Sequence, residues 1–283
     1  MEKTVGLIGL GIMGSAIARN LVDRGWRVIG FDIDAARRGE LSRDGISIAD
    51  NAAEVARDAP VIMTSLPSPT AVADVARAIA NSAQPPRIAI ELSTLSIADK
   101  LAFESVLKSA GHIALDCPLS GTGAQARNRD LVVYASGDSA SIARCAGLFS
   151  DFAKQSADLG RYGNGSRMKF IANHLVAIHN VATAEAMILA ERAGLDPKMV
   201  VEMVGPGAGG SRIFQMRAPM MVEGVYEPAT MKVSTWKKAM AIIAEFAHDV
   251  GCATPLFTLT QPVYEEALAT GLGDQDTAAV FEV

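Results

Sequence analysis

The stretch TVGLIGLGIMGSAIARNL, residues 4–21, places Gly9, Gly11 and Gly14 in the spacing G-x-G-x-x-G. An apolar run precedes the glycines. After them Ile17, Leu21 and Val22 share a helical face that ends at Gly25. Strand, glycine turn and helix start in that order suit a pyrophosphate. Gly9 allows the tight turn, Gly11 the approach of the anion, and Gly14 close packing of helix on strand. The N–H groups of the helix start, at Ile12 and Met13, face the charge. The same glycines would also serve a strand-to-helix turn with no ligand, so the motif needs its context.

Asp32 supplies part of that context. It closes the second apolar run, RVIGFD, 18 residues after Gly14. A carboxylate there can accept hydrogen bonds from both adenosine ribose hydroxyls and would repel a 2′-phosphate, which favours NAD over NADP. Arg37 and Arg38 lie just downstream and could partly neutralise such a phosphate. The alternative for Asp32 is an ordinary turn or capping aspartate.

The pattern repeats outward from this unit. PVIMTSL (60–66), RIAIEL (87–92), HIALDC (112–117) and LVVYASG (131–137) read as further strands, separated by Ala-rich helical stretches such as SPTAVADVARAIANS (68–82). Alternation of this kind predicts a parallel sheet covered on both faces. From Asn164 onward only helical patterns follow. SRMKFIANHLVAIHNVATAEAMILAERAG (166–194) reads as one long helix, apolar almost all round and so expected to be buried on most sides. Shorter helical pieces lie at 198–204, 211–221, 233–251 and 258–271. The expected fold is an α/β N-terminal Rossmann-type doubly wound sheet, residues 1–162. An all-α C-terminal domain, 163–283, is joined to it by a long interdomain helix.

Bulk properties narrow the function classes. The 283 residues are 49% apolar and 20% charged, with a formal net charge of −5. No basic run suits nucleic acid or an anionic membrane. The longest nearly uncharged stretch, Phe170 to Ala184, is too short and too polar to span a bilayer. No secretory leader pattern opens the chain. Cys117, Cys145 and Cys252 are far apart and form no CxxC pair, which argues against a disulfide framework or a zinc site and for a cytoplasmic location. Cys117 suits a small core residue at a strand end better than a nucleophile. His174 and His179 are five apart and not on one helical face, so no metal is expected.

Four more stretches carry polar groups where a ligand would lie. SLPSP (65–69) and LST (92–94) end two predicted strands, and strand carboxyl ends line the ligand crevice of such sheets. DCPLSGTGAQA (116–126) offers the Ser120 hydroxyl and the N–H groups of Gly121 and Thr122, a nest suited to a carboxylate. GNGSRMKFIANH (163–174) opens the long helix, with Lys169 and Asn173 four apart on one face and Asn180 further along it. A lysine on a largely apolar helix can work as acid or base, although many such lysines only snorkel to water. Each stretch alone also fits a plain loop or helix.

Together they resemble the β-hydroxyacid dehydrogenase family, which includes 3-hydroxyisobutyrate, tartronate-semialdehyde and threonate dehydrogenases, over essentially the whole chain. GLIGLGIMGSAIARNL is similar to the family's cofactor motif. DCPLSGTGAQA is similar to its substrate motif D-x-P-V-S-G-G, with departures at Leu119 and Thr122. GNGSRMKFIANH is similar to G-x-G-x-x-x-K-x-x-N-N: Lys169 and Asn173 match, and Ala172 replaces the first asparagine. The later K-D-L falls on Lys238, with Ala239 in place of the aspartate. AGGSRIFQMR (208–217) and GDQDTAAV resemble the threonate-dehydrogenase-like branch.

The resemblance implies NAD held by Gly9, Gly11, Ile12, Met13, Gly14, Asp32, Leu66, Pro67, Thr94 and Lys238, with NADP less favoured. It implies a small carboxylate substrate between the domains, its carboxylate on Ser120, Gly121, Thr122 and Lys238. Lys169 would act as general acid/base, with Asn173 fixing the substrate. Thr122, Ala172, His174, Arg212, Phe214, Trp236 and Ala239 would shape the pocket, and a homodimer or homotetramer is expected. The rivals are a reductase of a semialdehyde or an imine and a non-catalytic NAD-binding sensor. Lysine at 169 argues against both the imine reductase and the sensor. A decarboxylating phosphogluconate dehydrogenase would have a much longer chain and a cluster of basic residues.

Overall fold

The computed structural model describes residues 3–82 and 85–283. The described chain falls into two compact units, one ending at Lys169 and the other running from Phe170 to Val283.

In the first unit the elements are β1 (Thr4–Ile8), α1 (Ile12–Asp23), β2 (Arg27–Phe31), α2 (Ala35–Arg43), β3 (Ser47–Ile48), α3 (Ala52–Asp58), β4 (Val61–Thr64), α4 (Pro69–Ala80), β5 (Ile88–Glu91), α5 (Ile97–Ser109) and β6 (Ile113–Asp116). The strand order β3-β2-β1-β4-β5-β6 is parallel throughout. It is the doubly wound order, whose crevice opens at the strand carboxyl ends.

The strands are apolar on both faces because both faces are covered. Val5, Leu7, Val61, Met63, Ile88 and Ile90 point to one side, where Ile17 and Leu21 of α1 pack. Ile8, Ile29, Ile62 and Ala89 point to the other, against Val55 of α3, Ile79 of α4 and Phe103 of α5. Alternation along each strand sends successive side chains into different layers. Each fully buried Leu, Ile or Phe contributes about 1.5–3 kcal/mol.

The sheet departs from the all-parallel expectation beyond β6. Residues 119–120 form β7 (Leu119–Ser120), followed by α6 (Gly123–Arg127), β8 (Val132–Gly137), α7 (Ser139–Phe152) and β9 (Gln155–Asp158). β8 runs antiparallel to both β6 and β7, whereas β9 runs parallel to β8. Leu115 pairs Gly137 and Leu119 pairs Val133, so β6 and β7 form one antiparallel ladder interrupted at Cys117 and Pro118. The physical reason is the connection: five-residue α6 is too short for a parallel crossover, and an antiparallel return needs none.

The helix α8 (Asn164–Arg192) is the long helix expected from the sequence. After it come α9 (Pro197–Val204), α10 (Arg212–Glu223), α11 (Val233–Asp249), α12 (Pro255–Ala269) and a closing 3-10 turn, Thr277–Glu282. The second unit holds no named strand among the described residues. Its core includes Phe170 against Phe246 and Trp236 against Tyr264. The expectation that α8 is buried on most sides fails in part. Ile171, Leu175 and Leu189 are exposed, because the helices of this chain cover only part of it.

Candidate functional site

The glycine loop is built as its spacing requires. Gly9 has φ 92°, a left-handed conformation that a side chain resists, and a Cβ on it would run into the Ser65 carbonyl. A Cβ on Gly14 would strike the Gly9 carbonyl. Gly11 meets nothing nearer than the Arg37 guanidinium at 3.6 Å, so the loop is open on that side. Gly11 caps α1 with no side-chain hydrogen bond. The first-turn N–H groups, including those of Ile12 and Met13, are therefore available to an anion.

Asp32 lies directly after β2 and is buried. Its carboxylate accepts the Leu10 N–H at 2.7 Å and the Asp34 N–H at 2.8 Å, which fixes it against the glycine loop. Each oxygen keeps a further lone pair for a hydroxyl. Arg37 Nη1 is 3.7 Å from Asp32 Oδ2, and Arg38 donates to the Asp32 carbonyl at 2.6 Å. An open cradle, an uncapped helix start and a buried acceptor at the second strand end together fit a dinucleotide.

Leu66 and Pro67 lie beyond the carboxyl end of β4 and Thr94 beyond that of β5, and a Cβ on Gly9 would lie 3.1 Å from the Leu66 side chain. The Leu66 N–H donates to Ser93 Oγ at 2.8 Å, tying the two strand-end loops together. The turn at 120–122 is brought to the glycine loop as well. A Cβ on Gly123 would collide with Ile12, and Asn20 of α1 donates to the Ala126 carbonyl at 2.7 Å. Within that turn the structure redirects one expected donor. The Thr122 N–H donates to Gln125 Oε1 at 3.0 Å as part of a capping box for α6. The Ser120 hydroxyl and the Gly121 N–H are then the donors the turn keeps for a carboxylate.

Lys169 and Asn173 stand one turn apart on α8, the first half-buried and the second buried. Burial pushes the Lys169 ammonium down to about 8, with no neighbouring charge contributing. In the second unit the expected pocket residues separate into classes. Phe214 and Trp236 are core residues, and His174 stacks on Phe257 at 5.3 Å with planes 20° apart. Arg212 and Lys238 are exposed, on α10 and α11, and Ala172 and Ala239 are partly buried. Asn180 is a structural tie, its amide donating to Tyr264 Oη at 2.9 Å and the Thr277 carbonyl at 2.8 Å. Burial, together with Asp116, pushes the Cys117 thiol well up, which disfavours the thiolate that a nucleophile needs. Among the described residues no His/Cys/Asp/Glu group could hold a metal ion, and no helix is long and apolar enough to cross a membrane.

Sequence reasoning missed a buried ionic cluster beneath these loops. Lys100 of α5 pairs with Glu91 and lies 3.0 Å from Asp116, all three with no exposure. Burial by itself pushes the Lys100 ammonium down, but the two carboxylates outweigh it and hold it above its usual value. The signal was legible: Glu91 and Asp116 each close an otherwise apolar strand, and two carboxylates in a core need a cation.

Residues 4–161 match the family described as the NAD binding domain of 6-phosphogluconate dehydrogenase. Residues 163–283 match the one described as NAD-binding of NADP-dependent 3-hydroxyisobutyrate dehydrogenase. An L-threonate dehydrogenase of Escherichia coli O6:H1 is 30% identical over all of this chain and 95% of its own length. A chloroplastic glyoxylate/succinic semialdehyde reductase of Arabidopsis thaliana is 27% identical over 99% of this chain and 78% of its own. The Mycobacterium tuberculosis 3-hydroxyisobutyrate dehydrogenase structure with L-serine superposes with a TM-score of 0.90 at 25% identity, covering 100% of this chain and 99% of that one. With both family matches and a full-length relative in agreement, this chain belongs to the β-hydroxyacid dehydrogenase family and is an NAD(P)-dependent oxidoreductase.

Proposed function

We propose that the chain catalyses reversible hydride transfer between NAD and a short 3-hydroxy acid of the 3-hydroxyisobutyrate or threonate type. The observation that carries this is Lys169: half-buried on α8, one turn from Asn173, and pushed down to about 8. A proton carrier needs such a value, because it must release and regain a proton near the working pH. The bound nicotinamide supplies the hydride acceptor. Lys169 takes the hydroxyl proton in oxidation and returns it in reduction, while Asn173 orients the substrate oxygen. Ser120 and Gly121, with Lys238, hold the carboxylate, and Thr122 shapes the turn from its cap position. Gly9, Gly11, Ile12, Met13, Gly14, Asp32, Leu66, Pro67 and Thr94 hold the cofactor. The protein's share is positioning and charge placement.

At neutral pH an amine titrating near 8 is mostly ammonium, the form that donates in reduction. This, with the semialdehyde reductase among the relatives, supports the reverse reaction on a semialdehyde as the second reading. The functional division falls at 162/163, the place in the cytoplasm, and the active form is a homo-oligomer. The last is supported by apolar side chains the single chain exposes, such as Leu175, Leu189, Leu256 and Leu259.

The test is a panel of short 3-hydroxy acids, 3-hydroxyisobutyrate and L-threonate included, followed at the NADH absorbance. NAD is expected to give the higher kcat/KM because Asp32 faces the ribose. NADP in first place would overturn that argument and assign the site to Arg37 and Arg38.

A further inference from the structure

One hydrogen-bonded network joins the loops after β4, β5 and β6 to the start of α8. Glu91 Oε1 accepts the Ser93 N–H at 2.9 Å, and Ser93 Oγ accepts the Leu66 N–H at 2.8 Å. Lys100 bridges Glu91 to Asp116. Asp116 heads the turn that carries Ser120. It also accepts the Ser166 N–H at 2.7 Å through Oδ2 and the Ser166 hydroxyl at 2.8 Å through Oδ1. Ser136 donates to the Asp116 carbonyl at 3.1 Å and accepts the Gly165 N–H at 2.9 Å. Tyr162 closes the network, donating to the Lys100 carbonyl at 3.0 Å.

The contacts at the α8 end are tight. A Cβ on Gly165 would collide with the Tyr134 and Asp116 carbonyls, so the helix can start this close to β6 and β8 only with glycine there. A carboxylate on the first-turn N–H groups also matches the positive end of the helix dipole. Lys169 follows Ser166 by three residues, on the next turn.

We propose that Asp116, held in place by Lys100 and Glu91, is a positioning residue that fixes the first turn of α8 and so the placement of the Lys169 amine. This rests on the reading of Lys169 as the proton carrier. The cluster works through backbone: two carboxylates share one ammonium, and Asp116 also accepts the Ser166 N–H and hydroxyl and, at 3.4 Å, the Ser136 hydroxyl. Loosening that tie lets the helix start shift, and a displacement of about 1 Å at a reacting group can cost on the order of 10²-fold in rate.

Ser166→Ala removes one donor and leaves the ion cluster whole; Asp116→Asn is the stronger variant but leaves Lys100 with one carboxylate. Two readouts need no substrate. Hydrogen exchange of the 163–170 amides reports the helix start, and competitive acetic anhydride labelling across pH, read by mass spectrometry, gives the Lys169 midpoint. In Ser166→Ala the amides are expected to exchange at least tenfold faster, and the midpoint to rise from about 8 towards the ordinary lysine value of about 10.4. NAD affinity by fluorescence quenching should stay within twofold. An unmoved midpoint with unmoved exchange overturns the proposal. Lys169→Ala run in parallel on the hydroxyacid panel separates the two ideas: if it keeps wild-type turnover the proton-carrier reading falls, whatever the labelling shows.

Discussion

Two buried carboxylates invite comparison. Asp116 in the first unit and Asp276 in the second both have no exposure, and both sit beside a buried cation. Asp276 pairs with Arg217 of α10 and accepts the Thr230 N–H and hydroxyl, the Met231 N–H and the Ala278 N–H. Its partners are a helix, a loop and the closing 3-10 turn, so it fastens the end of the chain. Asp116 instead shares its lysine with a second carboxylate and accepts its other bonds from Ser136 of β8 and from Ser166 at the start of the helix that carries Lys169. Burial is alike in the two clusters, while the first sets two carboxylates against one cation and the second one against one. What each one ties together decides whether it serves stability or the site.

The sharpest way to break this contrast is to move function and stability apart. Lys169→Ala should lower kcat by roughly 10²–10⁴-fold, the usual share of general acid–base catalysis. Its NAD affinity and melting temperature should stay near wild type; a mutant within a few-fold of wild-type kcat removes Lys169 from the mechanism.

Asp276→Asn should do the opposite, costing on the order of 3–5 kcal/mol of unfolding free energy, as for a broken buried pair. The folded fraction should keep its kcat, and denaturant midpoints measured beside kcat would check both. The acid side of that stability has a definite sign. Burial pushes the Asp276 carboxyl up, but Arg217 and the Thr230, Ala278 and Met231 donors outweigh it and hold it below its usual value. The stabilisation is therefore present above about pH 4 and lost as pH falls through the lower folded value.

Asn180→Ala leaves Tyr264 and the Thr277 carbonyl without their buried donor. It should cost about 1–3 kcal/mol with little change in kcat. A large kcat loss with unchanged stability would return Asn180 to the site.

The smallest expected effect is in the pH profile. With Lys169 as the proposed proton carrier, oxidation needs its neutral amine, so the rate should rise with pH and level off above about 8. Reduction needs the ammonium, so it should fall through the same value. Rates in both directions over pH 6–10 check this, and a midpoint near 10.4 would mean that burial does not act on Lys169.

Much of the first unit was legible because its signals are local. A strand followed by Gly9, Gly11 and Gly14 can fold in few ways, and alternating apolar runs announce a parallel sheet. β3 and β7, of two residues each, carry too little periodicity to be seen, and the antiparallel turn at β8 depends on the short connection before it. In the site, Thr122 was read as an open donor because a cap is formed by a residue three positions on, Gln125. In the second unit Phe214, Trp236 and His174 look alike in sequence as pocket or core. Only their neighbours distinguish them.

The sequence by itself determined the doubly wound unit, the dinucleotide loop, the acidic residue after the second strand and the lysine–asparagine pair on the long helix, because each is a spacing along the chain. The tertiary structure alone decided that Glu91, Lys100, Asp116 and Ser166 form one buried network, because residues as far apart as Asp116 and Ser166, 50 positions, meet only in the folded chain. It also decided that Asn180 and Asp276 tie distant segments of the second unit together. The physical reason is the same in both cases: a buried polar group takes its role from the partners that satisfy it, and those partners are distant in the chain.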